Sequence, residues 1–92
     1  MTPDLKFDLR AFDELAPREL HDALALRQRV FVVEQACVYQ DVDGKDPNAL
    51  HLLGRDEHGA LVAYARILPP GVRFDVAAIG RVVIAPERRG ER

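Results

Sequence analysis

Arginine is concentrated at the end of the chain, where "GRVVIAPERRGER" carries Arg88, Arg89 and Arg92 around Gly90. An apolar run, Val82 to Ile84, leads into them through Pro86. Guanidinium groups and a glycine at a strand end suit the holding of an anion such as phosphate. Such a turn draws on backbone N–H groups and on the positive end of a helix dipole behind it. A second cluster lies in "YQDVDGKD", where Asp41, Asp43 and Asp46 are spaced closely enough to suggest a cation loop. The calcium pattern fails there. Gly44 comes too early, and the twelfth position counted from Asp41 is Leu52, where a glutamate is needed. No metal is expected, and an Asx-rich turn that caps itself through side-chain to backbone hydrogen bonds fits the same residues.

Other reactive types stand apart from one another. His21 falls on the polar side of a helical pattern, His51 opens a strand and His58 sits in a hairpin turn, so neither a metal nor a catalytic dyad is expected. Cys37 is the single cysteine, which excludes an internal disulfide and leaves zinc without ligands. With no His or Asp at a readable spacing it reads as a small buried hydrophobe. Tyr39 and Tyr64 are the two tyrosines, and Tyr64 reads as strand core with its hydroxyl at an edge.

These groups must be positioned by a small frame. The chain has 92 residues, 48% hydrophobic and 30% charged, which fits one domain, 1–92, with a thin core. Net charge is -2 with both signs mixed, so the basic stripe of a nucleic-acid or membrane-surface binder is lacking. "MTPDLKFDLR" is no signal peptide, and no stretch approaches ~18 apolar residues. A soluble, cytoplasmic protein is the expectation.

"LKFDLRAF" alternates, with Leu5, Phe7, Leu9 and Ala11 on one side, and predicts a strand half-buried on that side. From Pro17 to about Gln35 apolar residues recur at three- and four-residue steps, predicting one amphipathic helix. Its end, "RVFVVEQ", fits either a buried last turn or the start of something extended. A loop follows, then a hairpin whose arms "HLLGRD" and "ALVAYARIL" flank Gly59. "VAAIGRVVIAP" is the last strand, and Gly80 inside it points to a bulge or a close backbone approach. The order is β-α-β-β-β and the class α+β.

That last strand with the residues after it resembles the acetyl-CoA-binding strand and loop of the GNAT N-acetyltransferases. The loop pattern there is Arg or Gln, two residues, Gly, one residue, then Gly or Ala. Here Arg89 opens it, Gly90 and Glu91 are the free positions, and Arg92 stands where the first glycine belongs. The longer string "LRQRVFVVEQACVYQDVDGKD", "HLLG", "AYARILPPG" and "IGRVVIAPERRGE" is similar, in register from about Leu26 to Glu91, to the ElaA-like branch of that superfamily. Val38 departs from the proline common in the branch.

The resemblance implies the N-terminal half of a GNAT fold with a mainly antiparallel sheet. It implies an N-acetyltransferase that uses acetyl-CoA as co-substrate. Val82, Val83 and Ile84 would pair through their backbone with the pantetheine arm, a backbone N–H polarising the thioester carbonyl. Arg89, Gly90, Glu91 and Arg92 would open the pyrophosphate loop. Tyr39, Asp41 and Asp43 would lie beside the acceptor, a small-molecule or peptide amine, with carboxylates able to receive a cationic group. Glu34 is a candidate general base acting through water, set against a plain exposed carboxylate at a helix end. The tyrosine that serves such enzymes as acid comes from a C-terminal half, so a truncated chain with little or no turnover is expected. An alternative is a non-catalytic interaction domain, or a homodimer, pairing through the edge of the last strand.

Overall fold

Antiparallel strands in plain chain order, β1-β2-β3-β4, make one sheet in the computed structural model, which describes residues 5–36, 40–69 and 78–88. The strands are β1 (Lys6–Ala11), β2 (Leu50–Arg55), β3 (Leu61–Leu68) and β4 (Ala78–Ile84). Between β1 and β2 runs the helix α1 (Pro17–Gln28). The expected order β-α-β-β-β and the antiparallel sheet are both present.

α1 starts where its sequence allows. Pro17 occupies the first turn, where its missing N–H costs nothing, and the Glu19 carboxylate accepts the Ala16 N–H at 2.9 Å. Glu19 also receives Arg10 of β1 at 2.8 Å and Arg55 of β2 at 3.2 Å, so one side chain both caps the helix and ties it to two strands. The backbone hydrogen bond from Ala16 leads the interactions that hold its carboxyl below the ordinary value. α1 presents Ala23, Leu26 and, just beyond its end, Val30 to Leu53, Val62, Tyr64, Val83 and Ala85. This is the core.

The helix does not run on to Gln35 as the periodicity suggests. From Arg29 to Glu34 the chain is π-helical, with Gln35 N–H donating to Val30 C=O at 3.0 Å, and it ends on Ala36 at a φ of 53°. Across the wide turn Val30 is in the core and Val33 points outward, 75% exposed. The ambiguity of "RVFVVEQ" is thus resolved by a π segment, a rare device often found beside functional sites.

The alternation in β1 is present, but the side expected to be covered is not: Lys6 to Leu9 are all exposed, and Arg10 and Ala11 are half-buried. Arg10 turns toward the start of α1, whereas Phe7 and Leu9 are more than half exposed. Register explains it. Phe7, Gly54, Ala63 and Ile84 are successive cross-strand partners, as are Ala11, Leu50, Ile67 and Ile79. All of them lie on the sheet face away from α1. Among the described residues nothing covers that face, and Ile79 and Ile84 on it are 70% and 46% exposed. The Phe7 ring rests on Gly54, where an added Cβ would come within 2.8 Å of the ring and 2.9 Å of Ala63 Cβ.

Candidate functional site

β4 is the strand on which the resemblance places a co-substrate, and its geometry departs from a regular ladder at one point. Tyr64 faces Val83 and Arg66 faces Gly80, so two steps along β3 are matched by three along β4. The extra residue makes a β-bulge, which bends and re-aims the strand. Arg81 sits inside it at a φ of 52°. The bulge expected from Gly80 is there, but its left-handed residue is the neighbouring arginine. Beyond the bulge Val83 faces the core, 3% exposed, while Val82 and Ile84 are 61% and 46% exposed. β3 holds the strand end through Ala85 N–H to Val62 C=O at 2.7 Å.

An arginine in the left-handed region costs on the order of 1–2 kcal/mol unless something holds it. Here the acidic loop does. Arg81 Nε donates to Asp41 Oδ1 at 2.9 Å, and Arg81 Nη2 reaches Asp41 C=O and Asp43 Oδ2, each at 3.3 Å. Asp43 in turn takes two bonds from Arg66 of β3, at 2.8 and 2.9 Å, and one from the Lys45 N–H at 3.1 Å. Hydrogen bonding from Arg66 therefore holds the Asp43 carboxyl far below the ordinary aspartate value.

Behind them, Arg27 from α1, fully buried, donates to Asp46 Oδ1 at 2.9 Å and to Asp41 C=O at 2.7 Å. Its Nε lies 3.1 Å from Asp41 Oδ2 but out of line for a hydrogen bond. Arg66 also reaches Asp46 Oδ1 at 3.1 Å. Burial opposes the Arg66 charge, but the bonds to Asp43 and Asp46 outweigh it and hold the guanidinium protonated. Three arginines and three aspartates thus neutralise one another at the junction of helix, loop and sheet.

One further pair closes the network. His51 Nε2 faces the Asp46 carbonyl at 3.0 Å and His51 Nδ1 faces the Tyr64 hydroxyl at 2.6 Å. The carbonyl can only accept, so Nε2 carries the hydrogen and Nδ1 accepts from the tyrosine. Burial lowers the His51 pKa and pushes the Tyr64 hydroxyl up to about 12. The expectation that this hydroxyl lies at an edge is corrected: Tyr64 is 2% exposed and its oxygen is turned inward.

Asp41 and Asp43, expected at the acceptor, and the strand expected to hold acetyl-CoA are therefore brought together, through Arg81. Asp43 also forms the expected Asx turn with Lys45, so its carboxylate has a structural task. Glu34 is exposed at the end of the π segment. Arg88 leans back on the β2–β3 turn, 3.7 Å from Asp56. Tyr39, Arg89, Gly90, Glu91 and Arg92 lie outside the described residues. Arg27 and Arg66 do not stand out in the sequence because each sits in an apolar string, "ALALRQRVF" and "AYARILPPG". One signal could have found them. An arginine that an apolar element buries requires a carboxylate, and three stand in one short loop.

No protein-family model matches the chain. A UPF0039 protein of Synechocystis is 41% identical over 87 residues, which are 95% of this chain and 56% of that protein. ElaA of Escherichia coli is 46% identical over 81 residues, 86% of this chain and 52% of that protein. The chain therefore spans about half the length of the curated relatives it matches. The crystal structure of Escherichia coli ElaA superposes with a TM-score of 0.86 at 41% identity, over 96% of this chain and 60% of that one. An acyl-CoA N-acyltransferase from Pseudomonas aeruginosa gives 0.87 at 40% identity, over 95% and 60%.

The fold is that of the GNAT acyl-CoA N-acyltransferases. Identity at this level over most of the chain makes it a relative of ElaA as well as a structural likeness. Within the acyltransferase fold, β1, α1 and the β2–β4 meander are all supplied by these 92 residues. No helix among the described residues is long and apolar enough to cross a membrane.

Proposed function

We propose that the chain contributes the acyl-CoA-binding strand of an N-acetyltransferase that moves an acetyl group to a primary amine. One observation carries this reading: among the described residues β4 is the last strand of the sheet, bent by a bulge at Arg81, in a fold shared with an acyl-CoA N-acyltransferase. An extended amide-bearing arm fits such an edge as an added strand. The backbone of Val82 to Ile84 would hold it, and the exposed Val82 and Ile84 side chains would offer it an apolar floor. Bound acetyl-CoA supplies the activated thioester. The chain's own part is to hold that arm straight and to aim a backbone N–H at the carbonyl oxygen. Arg89 to Arg92 are the proposed partners of the pyrophosphate, and Tyr39, Asp41 and Asp43 the border of the acceptor site.

Titration with acetyl-CoA, followed by backbone amide shifts, tests this. Saturable shifts confined to Val82–Ile84 and Arg89–Arg92 are expected. Shifts scattered over α1 with none in β4 would remove the assignment.

A second reading has its own observation. The β4 edge adjoins the uncovered apolar face carrying Ile79 and Ile84, a combination that invites another chain to pair there. Sedimentation velocity decides between them. A dimer that acetyl-CoA dissociates places both events on β4, and a monomer at high concentration excludes the pairing.

A further inference from the structure

We infer that Asp41 and Asp43 are positioning residues for β4: acting through Arg81, they set the bulge that aims Val82–Ile84, an inference that rests on the acyltransferase reading above. Three observations lead to it. Arg81 adopts a φ that a side chain bearing a Cβ disfavours, and its guanidinium has partners on both aspartates to hold it there. Those aspartates are not free to follow Arg81. Asp41 is fixed from α1 by Arg27, and Asp43 from β3 by Arg66, whose own backbone faces Gly80 at the foot of the bulge. The restraint also crosses elements, from helix to loop to both strands flanking the distortion.

Each link is needed for the geometry. A bulge with a flexible residue at its centre would sample several strand directions. A strand that must pair with an extended ligand loses affinity when its N–H and C=O groups point in several directions. Glycine would take the same φ without strain, yet nothing would then fix the direction. Arginine with two anchored carboxylates trades an unfavourable backbone angle for a single aim. The loop that would border the acceptor is thereby coupled to the strand that would hold the acyl donor, which sets the two substrates in one frame.

Two variants separate this role from general stability. Asp43→Asn keeps the shape of the loop and weakens its hold on Arg81 and Arg66. Arg81→Gly keeps the backbone angle accessible and removes the clamp, while leaving Asp41 to Arg27 and Asp43 to Arg66. In both, amide exchange of Gly80–Ile84 is expected to quicken by more than that of Tyr64 and Ala65 in β3. Affinity for acetyl-CoA is expected to fall about ten-fold. Arg81→Lys, which can meet one carboxylate at a time, is expected to recover part of the loss.

The readouts fail separately. Exchange across Gly80–Ile84 that stays at the parent rate in the folded Arg81→Gly chain overturns the clamp, whatever the binding result. Quickened exchange in β4, with a parent chain that takes up no acetyl-CoA, sustains the clamp and overturns the acyltransferase reading. Should Asp43→Asn fail to fold, Arg81→Gly alone decides.

Discussion

Arg27→Met is expected to cost the fold about 3–5 kcal/mol, the range found when one member of a buried ion pair is removed. A domain of this size has about 5–15 kcal/mol in all, so the variant should be close to unfolded at physiological temperature. Arg27 is fully buried, and methionine restores much of its packing but none of its charge. Asp46 is then left to Arg66, and Asp41 to Arg81, with the Asp41 carbonyl losing its 2.7 Å donor. The guanidinium also stands 5.7 Å from the centre of the Tyr64 ring, so its attraction to the ring face disappears too. A control makes the comparison sharper. Arg29 and Glu87 approach to 2.6 Å, closer than any partner of Arg27, but their side chains are 47% and 62% exposed. Breaking that pair with Glu87→Gln should leave stability close to that of the parent chain, because water screens both charges. Urea unfolding followed by circular dichroism measures both. If the two variants lose equal stability, burial is not what ranks these pairs, and the network is not the centre of the fold.

The same contrast shows why some features can be read from residue order and others cannot. The hairpin around Gly59 is legible because a φ of 82° and a tight turn are local requirements that glycine meets by itself. Alternation in β1 is legible as a period. It defines two sides, but only the packing partner decides which is covered, and α1 packs on the side of Arg10 rather than Phe7. The helix end is obscure for a related reason. A π turn and an α turn place Val30 equally well, and they differ in where Val33 goes, which depends on what lies beyond. The ionic network is least legible. Helical periodicity scores Arg27 as polar and therefore outward, and strand pattern passes over Arg66 among its apolar neighbours. Their burial follows from the loop at 41–46 folding back onto the sheet, a long-range event with no period of its own. The bulge lies between these cases. Gly80 marks the place, while the residue that carries the strain is Arg81, whose partners lie about forty positions earlier.

Acid should weaken this fold in two stages, and His51 sets the first. Its ring accepts from Tyr64 and donates to the Asp46 carbonyl in the neutral form; protonation would reverse the bond at Nδ1, so that the Tyr64 oxygen accepts and its hydrogen must find another partner in the core. Burial lowers its folded pKa below the ordinary 6.5, with Arg27 and Arg66 adding to the depression and Asp46 opposing it. The unfolded chain therefore takes up a proton near pH 6.5 that the folded chain refuses. Stability is full above that pH and falls as pH drops through it, by at most about 1.4 kcal/mol per pH unit for one group. Asp43 sets the second stage. Its folded pKa lies below the ordinary 3.8, chiefly through its hydrogen bonds from Arg66, so the unfolded chain again binds the extra proton. That contribution is complete above pH 3.8 and is lost below it, adding to the loss at His51. The expected profile is flat above about pH 7, declines gently toward about pH 5 and drops steeply under about pH 4. His51→Gln keeps a donor and an acceptor without a titrating ring, so it should flatten the gentle stage and leave the steep one. Urea midpoints at about pH 8, 5.5, 4 and 3 would read both stages. A parent chain that gains stability between about pH 7 and 5 would refute the assignment of a neutral His51, as would a glutamine variant with an unaltered slope. Because the same Asp43 holds Arg81, loss of its charge should also loosen β4. The second stage should then appear first as quickened exchange at Gly80–Ile84, before the core around Leu53 opens.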